Sequence, residues 1–231
     1  MIFSLLRKIK IYGFGKFLEY VWIELTYYLP NRLFKNSFSQ LAEDLIVHKA
    51  LGNISNGFYV DVGANDSMRY SNSEHFYRSG WSGINIEPDP TAFKKLASRR
   101  LRDTNLNIGI SSQEGTMNFY KFSPSTHSTF SDADAETFSK AGFQIISKEP
   151  VRVATLANVL KEYCKADKID FLSVDTEGFD LEVLKGMDWN LYKPTVICAE
   201  DPACKDVLEP LGYSVIGQTR FNIIYKVTTK L

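Results

Sequence analysis

The 231-residue chain is 44% hydrophobic and 23% charged, apolar enough to bury a core and too apolar for disorder as its main state. Lysine plus arginine and aspartate plus glutamate each total 27, so the basic excess of a nucleic-acid binder is missing and no nucleic-acid partner is expected. Three cysteines, Cys164, Cys198 and Cys204, lack CxxC spacing; they exclude a disulfide framework and structural zinc, and point to a reducing, cytoplasmic compartment.

The charge is unevenly spread. Residues 1–35 hold six basic residues (Arg7, Lys8, Lys10, Lys16, Arg32, Lys35) and two acids (Glu19, Glu24), which leaves 21 basic and 25 acidic residues for the rest. The apolar stretch 17–29, FLEYVWIELTYYL, contains two glutamates and is too short to span a bilayer, and no small-residue cleavage site follows it. It reads as a helical arm packed on the rest of the chain or on a second subunit, which would make an oligomer; the other reading is a basic, aromatic helix in peripheral contact with a membrane surface. Over 38–51, Leu41, Leu45, Ile46 and Ala50 recur at helical spacing and Gly52 follows as a C-cap. His48 on that helix is expected to be a partly buried surface histidine and not a ligand. Residues 1–56 therefore form a helical extension ahead of a domain over 57–231.

From Phe58 the pattern changes to short β-rich runs alternating with helical ones. Strands are predicted over 58–63, 82–88, 105–111, 115–122, 169–175 and 195–201, the fourth of them flanking. Helices are predicted over 72–80, 91–100 (opened by Pro90), 153–163, 179–187 and 204–212. Residues 213–217 and 222–227 close the chain as a hairpin, suggesting an antiparallel edge strand. The alternation implies an α/β domain with a mostly parallel sheet and helices on both faces.

In such sheets ligands bind outside the carboxyl ends of the strands. The residues there are Gly63-Ala64-Asn65-Asp66, Glu87-Pro88-Asp89, Asn107 to Ser111, Asp175-Thr176-Glu177-Gly178 and Glu200-Asp201. Four of these five groups carry carboxylates, whereas phosphate sites favour glycines and lysines at helix N-termini. GxGxxG and GxxxxGK[ST] are both missing, which counts against a dinucleotide-dependent oxidoreductase. A carboxylate placed as Glu87 is, 24 residues after Gly63, can accept hydrogen bonds from both hydroxyls of a ribose, so a nucleoside without a diphosphate fits best.

The segments FYVDVGAND, HFYRSGWSGINIEPDP, LNIGISSQEG and IDFLSVDTEGFDLEVLKGMDW resemble the FkbM-type S-adenosylmethionine-dependent methyltransferases, in family order over about residues 57 to 201. The resemblance implies a class I methyltransferase (Rossmann-like) fold, a seven-stranded sheet whose last-inserted strand alone is antiparallel. It also implies S-adenosylmethionine as cofactor. Asp61, Gly63 and Asn65 would pass the methionine part, Glu87 and Pro88 would hold the ribose, and Asn107 would sit by the adenine edge. Many members carry glycine two positions after the asparagine of G-A-N; here Asp66 and Ser67 follow, as in the variant with a longer insertion, in which Ser71 and Asn72 begin the next helix. Asp175 belongs to both the cofactor and the acceptor side.

Methyl transfer to a hydroxyl needs alignment and a base or a metal ion. Asp175, Glu200 and His127 are the candidate catalytic groups, and Asp175, Glu200 and Asp201 the candidate ligands for Mg²⁺ or Mn²⁺. Glu177 reads equally well as a cap of the helix after it. His75 is expected to be structural. The family resemblance implies O-methylation of a carbohydrate or polyketide-like hydroxyl on a small-molecule or glycan acceptor, and GWSGINIEP looks most like the members linked to surface-polysaccharide synthesis, which favours a sugar. The alternative is a catalytically inactive binding subunit of a glycan-assembly complex.

Overall fold

The computed structural model describes residues 15, 17, 18 and 21–228. Arg7, Lys8, Lys10, Lys16 and Glu19 lie outside the described residues. A π-helical stretch, Glu24–Tyr28, runs into α1 (Leu29–Phe34), and α2 (Glu43–Leu51) follows. Gly52 ends α2 at φ 72°, a positive φ that favours glycine, and its N–H bonds the His48 carbonyl. No helix among the described residues is long and apolar enough to cross a membrane.

Alternation then builds β1 (Phe58–Val62), α3 (Glu74–Arg78), β2 (Ser82–Ile86), α4 (Pro90–Arg99) and β3 (Thr104–Leu106). β4 (Gly109–Ile110), β5 (Gly115–Ser123), α5 (Asp132–Lys140) and β6 (Gln144–Ala154) come next, followed by α6 (Leu156–Tyr163) and β7 (Phe171–Val174). The chain closes with α7 (Asp180–Lys185), β8 (Val196–Ala199), α8 (Cys204–Leu208), β9 (Tyr213–Gln218) and β10 (Ile223–Val227).

The main sheet has seven strands in the order β3-β2-β1-β7-β8-β10-β9, and a second sheet has the order β4-β6-β5. β1, β2, β3, β7 and β8 are parallel, whereas β10 runs antiparallel to both β8 and β9. The antiparallel strand is therefore interior, and the edge strand is β9; the hairpin inserts its second arm between the first and β8. Two further expectations change. The predicted strand 105–111 is two strands in two sheets, β3 beside β2 and β4 beside β6. The helix expected from 153 starts at 156, because the Thr155 side chain accepts the Asn158 N–H as an N-cap and leaves Val153 and Ala154 to finish β6.

Side chains alternate across a strand, and this alternation divides the core. Val60, Val62, Ile84, Ile86, Leu172, Val174, Ile197 and Ala199 face one side, packed with Leu156, Val159 and Leu160 of α6, Val183 and Leu184 of α7 and Leu208 of α8. Tyr59, Phe171, Val196 and Cys198 face the other, with Val47 of α2, Phe76 of α3 and Trp81. Continuing the second set by twos reaches Asp61 on β1, Ser173 and Asp175 from β7, Glu200 after β8, and Asn85 and Glu87 from β2. The register Val62↔Ile86, Val62↔Val174 and Val174↔Ala199 puts Glu87, Asp175 and Glu200 in one row just beyond the sheet. One face of the sheet is thus apolar at its base and acidic at its carboxyl end.

Candidate active site

That row opens into a cavity of ≈ 1240 Å³. Ligand pockets commonly hold roughly 300–1,000 Å³, so there is room for a nucleoside and a second molecule. Asp61, Gly63, Asn65, Ser71, Glu87, Pro88, Asp175, Glu200 and His127 all line it. Asn107 and Asp201 are outside the lining. The Asn107 side chain instead donates to the Glu87 and Pro88 carbonyls, bracing the loop after β2, and Ile108 and Ile110 form the wall expected there.

Gly63 turns the chain out of β1 at φ 84°, and a Cβ at this position would collide with the Asp175 carbonyl oxygen. Only glycine lets the two strand ends approach this closely. Its N–H and that of Ala64 bond the Ile86 carbonyl, which ties the loop to β2. Glu87 completes the tie: Oε2 accepts the Asn65 N–H at 2.7 Å and Oε1 the Asp89 N–H at 2.7 Å. Burial pushes the Glu87 carboxyl up to about 7, against the opposing pull of these N–H groups.

Asp61 and Ser71 belong to a network beneath the cavity. Ser73 Oγ donates to Asp61, and the fully buried Arg100 reaches the Tyr59 hydroxyl at 2.7 Å, the Ser71 hydroxyl at 3.2 Å and the Glu74 carboxylate at 3.2 Å. A buried cation amid acids and hydroxyls holds this end of the sheet rigid, since an uncompensated charge there would be costly. Ser71 also accepts the Glu74 N–H, so α3 starts there, two residues later than the expected helix.

The acidic end is built differently. Carboxylate oxygens of Asp175, Glu177 and Glu200 lie within 4.8 Å of one another. Asp180, fully buried at the start of α7, organises the loops carrying them. It accepts from the Thr176 N–H and hydroxyl through one oxygen and from the Glu200 and Asp201 N–H groups through the other. Burial, then the Glu200 charge, holds the Asp175 carboxyl far above the ordinary carboxylate range. Burial and the Asp175 charge do the same to Glu177. Glu200 is pushed up to about 7 by burial and by the Asp180 charge, while a hydrogen bond from Asp175 pulls the other way. Asp201 does not join them; its Oδ1 accepts the Ala203 N–H.

Glu177 is the residue that sequence reasoning undervalued. Its own φ of 51° and that of Gly178, 90°, turn the chain so that Glu177 folds back over Asp175 instead of capping α7. The E-G pair was the available signal, because a glycine after an acid often marks a left-handed turn. Asp180 was missed altogether; nothing in the sequence distinguishes it from other acids in a helical first turn.

The second sheet and α5 supply the remaining wall through Phe119, Lys121, residues 124–128, Phe130, Phe138 and Phe143. Lys121 pairs with Asp89 at 2.8 Å and Thr129 Oγ1 donates to the Glu177 carbonyl at 2.8 Å, so this wall is fastened to both ends of the row. His127 sits on a turn at Ser125–His127, its ring 4.0 Å from the Phe143 centroid and 5.0 Å from that of Phe138. His48 and His75 meet edge-on with ring centroids 5.0 Å apart, and neither lines the cavity.

The family model described as the methyltransferase FkbM domain matches residues 61–224. Methyltransferase sdnD of Sordaria araneosa is 27% identical over 196 residues, 70% of this chain and 75% of that protein. Among solved structures, a precorrin-6y C5,15-methyltransferase from Geobacter metallireducens aligns with a TM-score of 0.41 at 11% identity, over 81% of this chain and 89% of that one. A putative RNA methyltransferase from Pyrococcus horikoshii aligns with a TM-score of 0.41 at 11% identity, over 81% and 82%.

Proposed function

The chain belongs to the methyltransferase FkbM family, and from that premise we propose that it transfers the methyl group of S-adenosylmethionine to a sugar hydroxyl of a surface-polysaccharide or glycan precursor. The strand ends suit this cofactor. Glu87 accepts one N–H on each oxygen and keeps lone pairs for a ribose diol. Ile86, Ile108 and Ile110 offer an apolar wall to a base, and the Gly63 turn clears the path between Glu87 and Asp175. When bound, the cofactor supplies a methyl group already activated on a positively charged sulfur.

The chain's own residues then have two tasks. Alignment of the hydroxyl falls to the walls of the cavity, where polar groups such as Asn65, Ser125, Thr126 and Arg220 suit a polyhydroxylated acceptor. Proton removal falls to Glu200. In that transfer the Glu200 carboxylate would take the proton released by the acceptor hydroxyl. A base that titrates near 7 is matched to neutral pH. Asp175 positions Glu200 through their hydrogen bond, and burial followed by the Asp180 charge raises the basicity of Glu200.

The observation that carries this reading is the Asp175–Glu177–Glu200 group on the same cavity as Glu87. Incubating the enzyme with methyl-labelled cofactor and a panel of free, nucleotide-linked and lipid-linked sugars tests it by mass spectrometry. A sugar that gains one labelled methyl with wild type and not with Glu200→Gln supports the proposal. Transfer only to non-carbohydrate hydroxyls would overturn the acceptor assignment.

A further inference from the structure

We propose that the N-terminal arm lies in the interfacial plane of a membrane bearing anionic lipids, and that this seats the rim of the cavity against the bilayer. Thirteen large hydrophobic side chains are exposed among the described residues, and seven fall between 18 and 34. Leu18, Trp22, Leu25, Leu29 and Leu33 recur at spacings of four, three, four and four, which is one helix face. Leu25 is 60% exposed, Leu33 71% and the neighbouring Phe34 84%. Singly scattered apolar side chains are ordinary on a surface, whereas a continuous stripe marks a contact.

The opposite face of the arm is already occupied. Phe17, Ile23 and Tyr28 are buried, Glu24 pairs with Arg69 at 2.5 Å and accepts the Tyr70 hydroxyl at 2.7 Å, and the Tyr28 ring meets Tyr70 edge-on at 5.0 Å. Packing within the chain thus accounts for one face and leaves the apolar stripe outward.

Charge identifies what covers the stripe. The first 35 residues carry six basic and two acidic side chains, while the rest carries 21 and 25. A basic segment with an apolar stripe that includes Trp22, with Tyr27 nearby, matches anionic headgroups above an acyl boundary. A second copy fits less well, because it would bring together two segments that each carry a net charge of +4 in sequence over residues 1–35. The inner face of the arm links this surface to the site. Ile23 lines the cavity with Met68, Arg69 and Tyr70, so an arm lying on a bilayer brings that rim to the membrane. Delivery of a membrane-borne acceptor there rests on the glycan reading above; binding of the arm to lipid does not.

Flotation of the full chain with phosphatidylcholine vesicles, with and without phosphatidylglycerol, tests the proposal. The protein is expected to float with the anionic vesicles and to be released by salt. The triple variant Trp22→Glu, Leu25→Glu, Leu29→Glu changes only exposed positions, so its melting curve and S-adenosylhomocysteine affinity stay those of wild type. Its partition coefficient is expected to fall at least about 100-fold. Failure of wild type to float, or equal flotation of the variant, would overturn the proposal. A light-scattering dimer that the variant abolishes, with no flotation, would make a second copy the occupant and overturn it too. Flotation without S-adenosylhomocysteine binding would sink the methyltransferase reading and leave the arm's role standing.

Discussion

Glu200→Gln is expected to make the protein more stable and nearly inactive. Burial and the Asp180 charge hold the Glu200 carboxyl at about 7 in place of 4.5. At roughly 1.4 kcal/mol per tenfold change in proton affinity, ionising it inside the protein costs about 3 kcal/mol more than in the unfolded chain. The sign follows from proton counts. Between about 4.5 and 7 the folded state holds a proton that the unfolded state has released, so stability falls as pH rises through that window. Glutamine cannot ionise and escapes this loss. Melting curves from pH 4 to pH 8 are expected to converge at the acid end and to separate by roughly 6–12 °C at the alkaline end, the variant being higher. Single-turnover methyl transfer is expected to fall by about 10²–10⁴, the usual worth of a general base, with S-adenosylhomocysteine binding intact. A variant that melts with the same pH dependence as wild type, or that turns over at the wild-type rate, would refute the assignment.

Gly63→Ala puts a Cβ against the Asp175 carbonyl at a left-handed φ and is expected to cost about 3 kcal/mol in a urea unfolding curve, with weakened cofactor binding. Asp180→Ala strips the acceptor from three backbone N–H groups and one hydroxyl; a loss of about 3 kcal/mol or more is expected by the same measurement, with activity lost alongside. Because Glu200 itself takes the proton in this account, activity is expected to survive exhaustive chelation. A rate lost to chelation and restored by Mg²⁺ or Mn²⁺ would assign the task to an ion held by Asp175, Glu177 and Glu200.

The main sheet was legible because its strands are short β-branched runs ended by glycine or acids, as in FYVDVG and IDFLSVD. The carboxyl-end rule then selected the strand-end part of the cavity lining, Glu87, Asp175 and Glu200 included, without knowledge of the strand order. The second sheet was only partly legible. β5 reads as a strand, but its partner β6 contains Lys148-Glu149-Pro150, which separates Ile145 and Ile146 from Val151 and Val153 and breaks the apolar pattern. α5 is polar enough that only Ala135 is buried, so its periodicity carries almost no signal. Asn107 and Asp201 were placed at the site by proximity to strand ends. Their side chains satisfy neighbouring backbone groups instead, a choice settled by local loop geometry that spacing does not encode. The cluster with Glu177 depends on two consecutive left-handed residues, again a matter of backbone conformation.

The central claim is that Glu87 and the acidic row form a cofactor and methyl-transfer site, and calorimetric titration of the full chain with S-adenosylhomocysteine tests it most directly. The account predicts one site per chain, lost in Glu87→Ala and retained in Glu200→Gln. Absence of binding to wild type, or undiminished binding to Glu87→Ala, would contradict it.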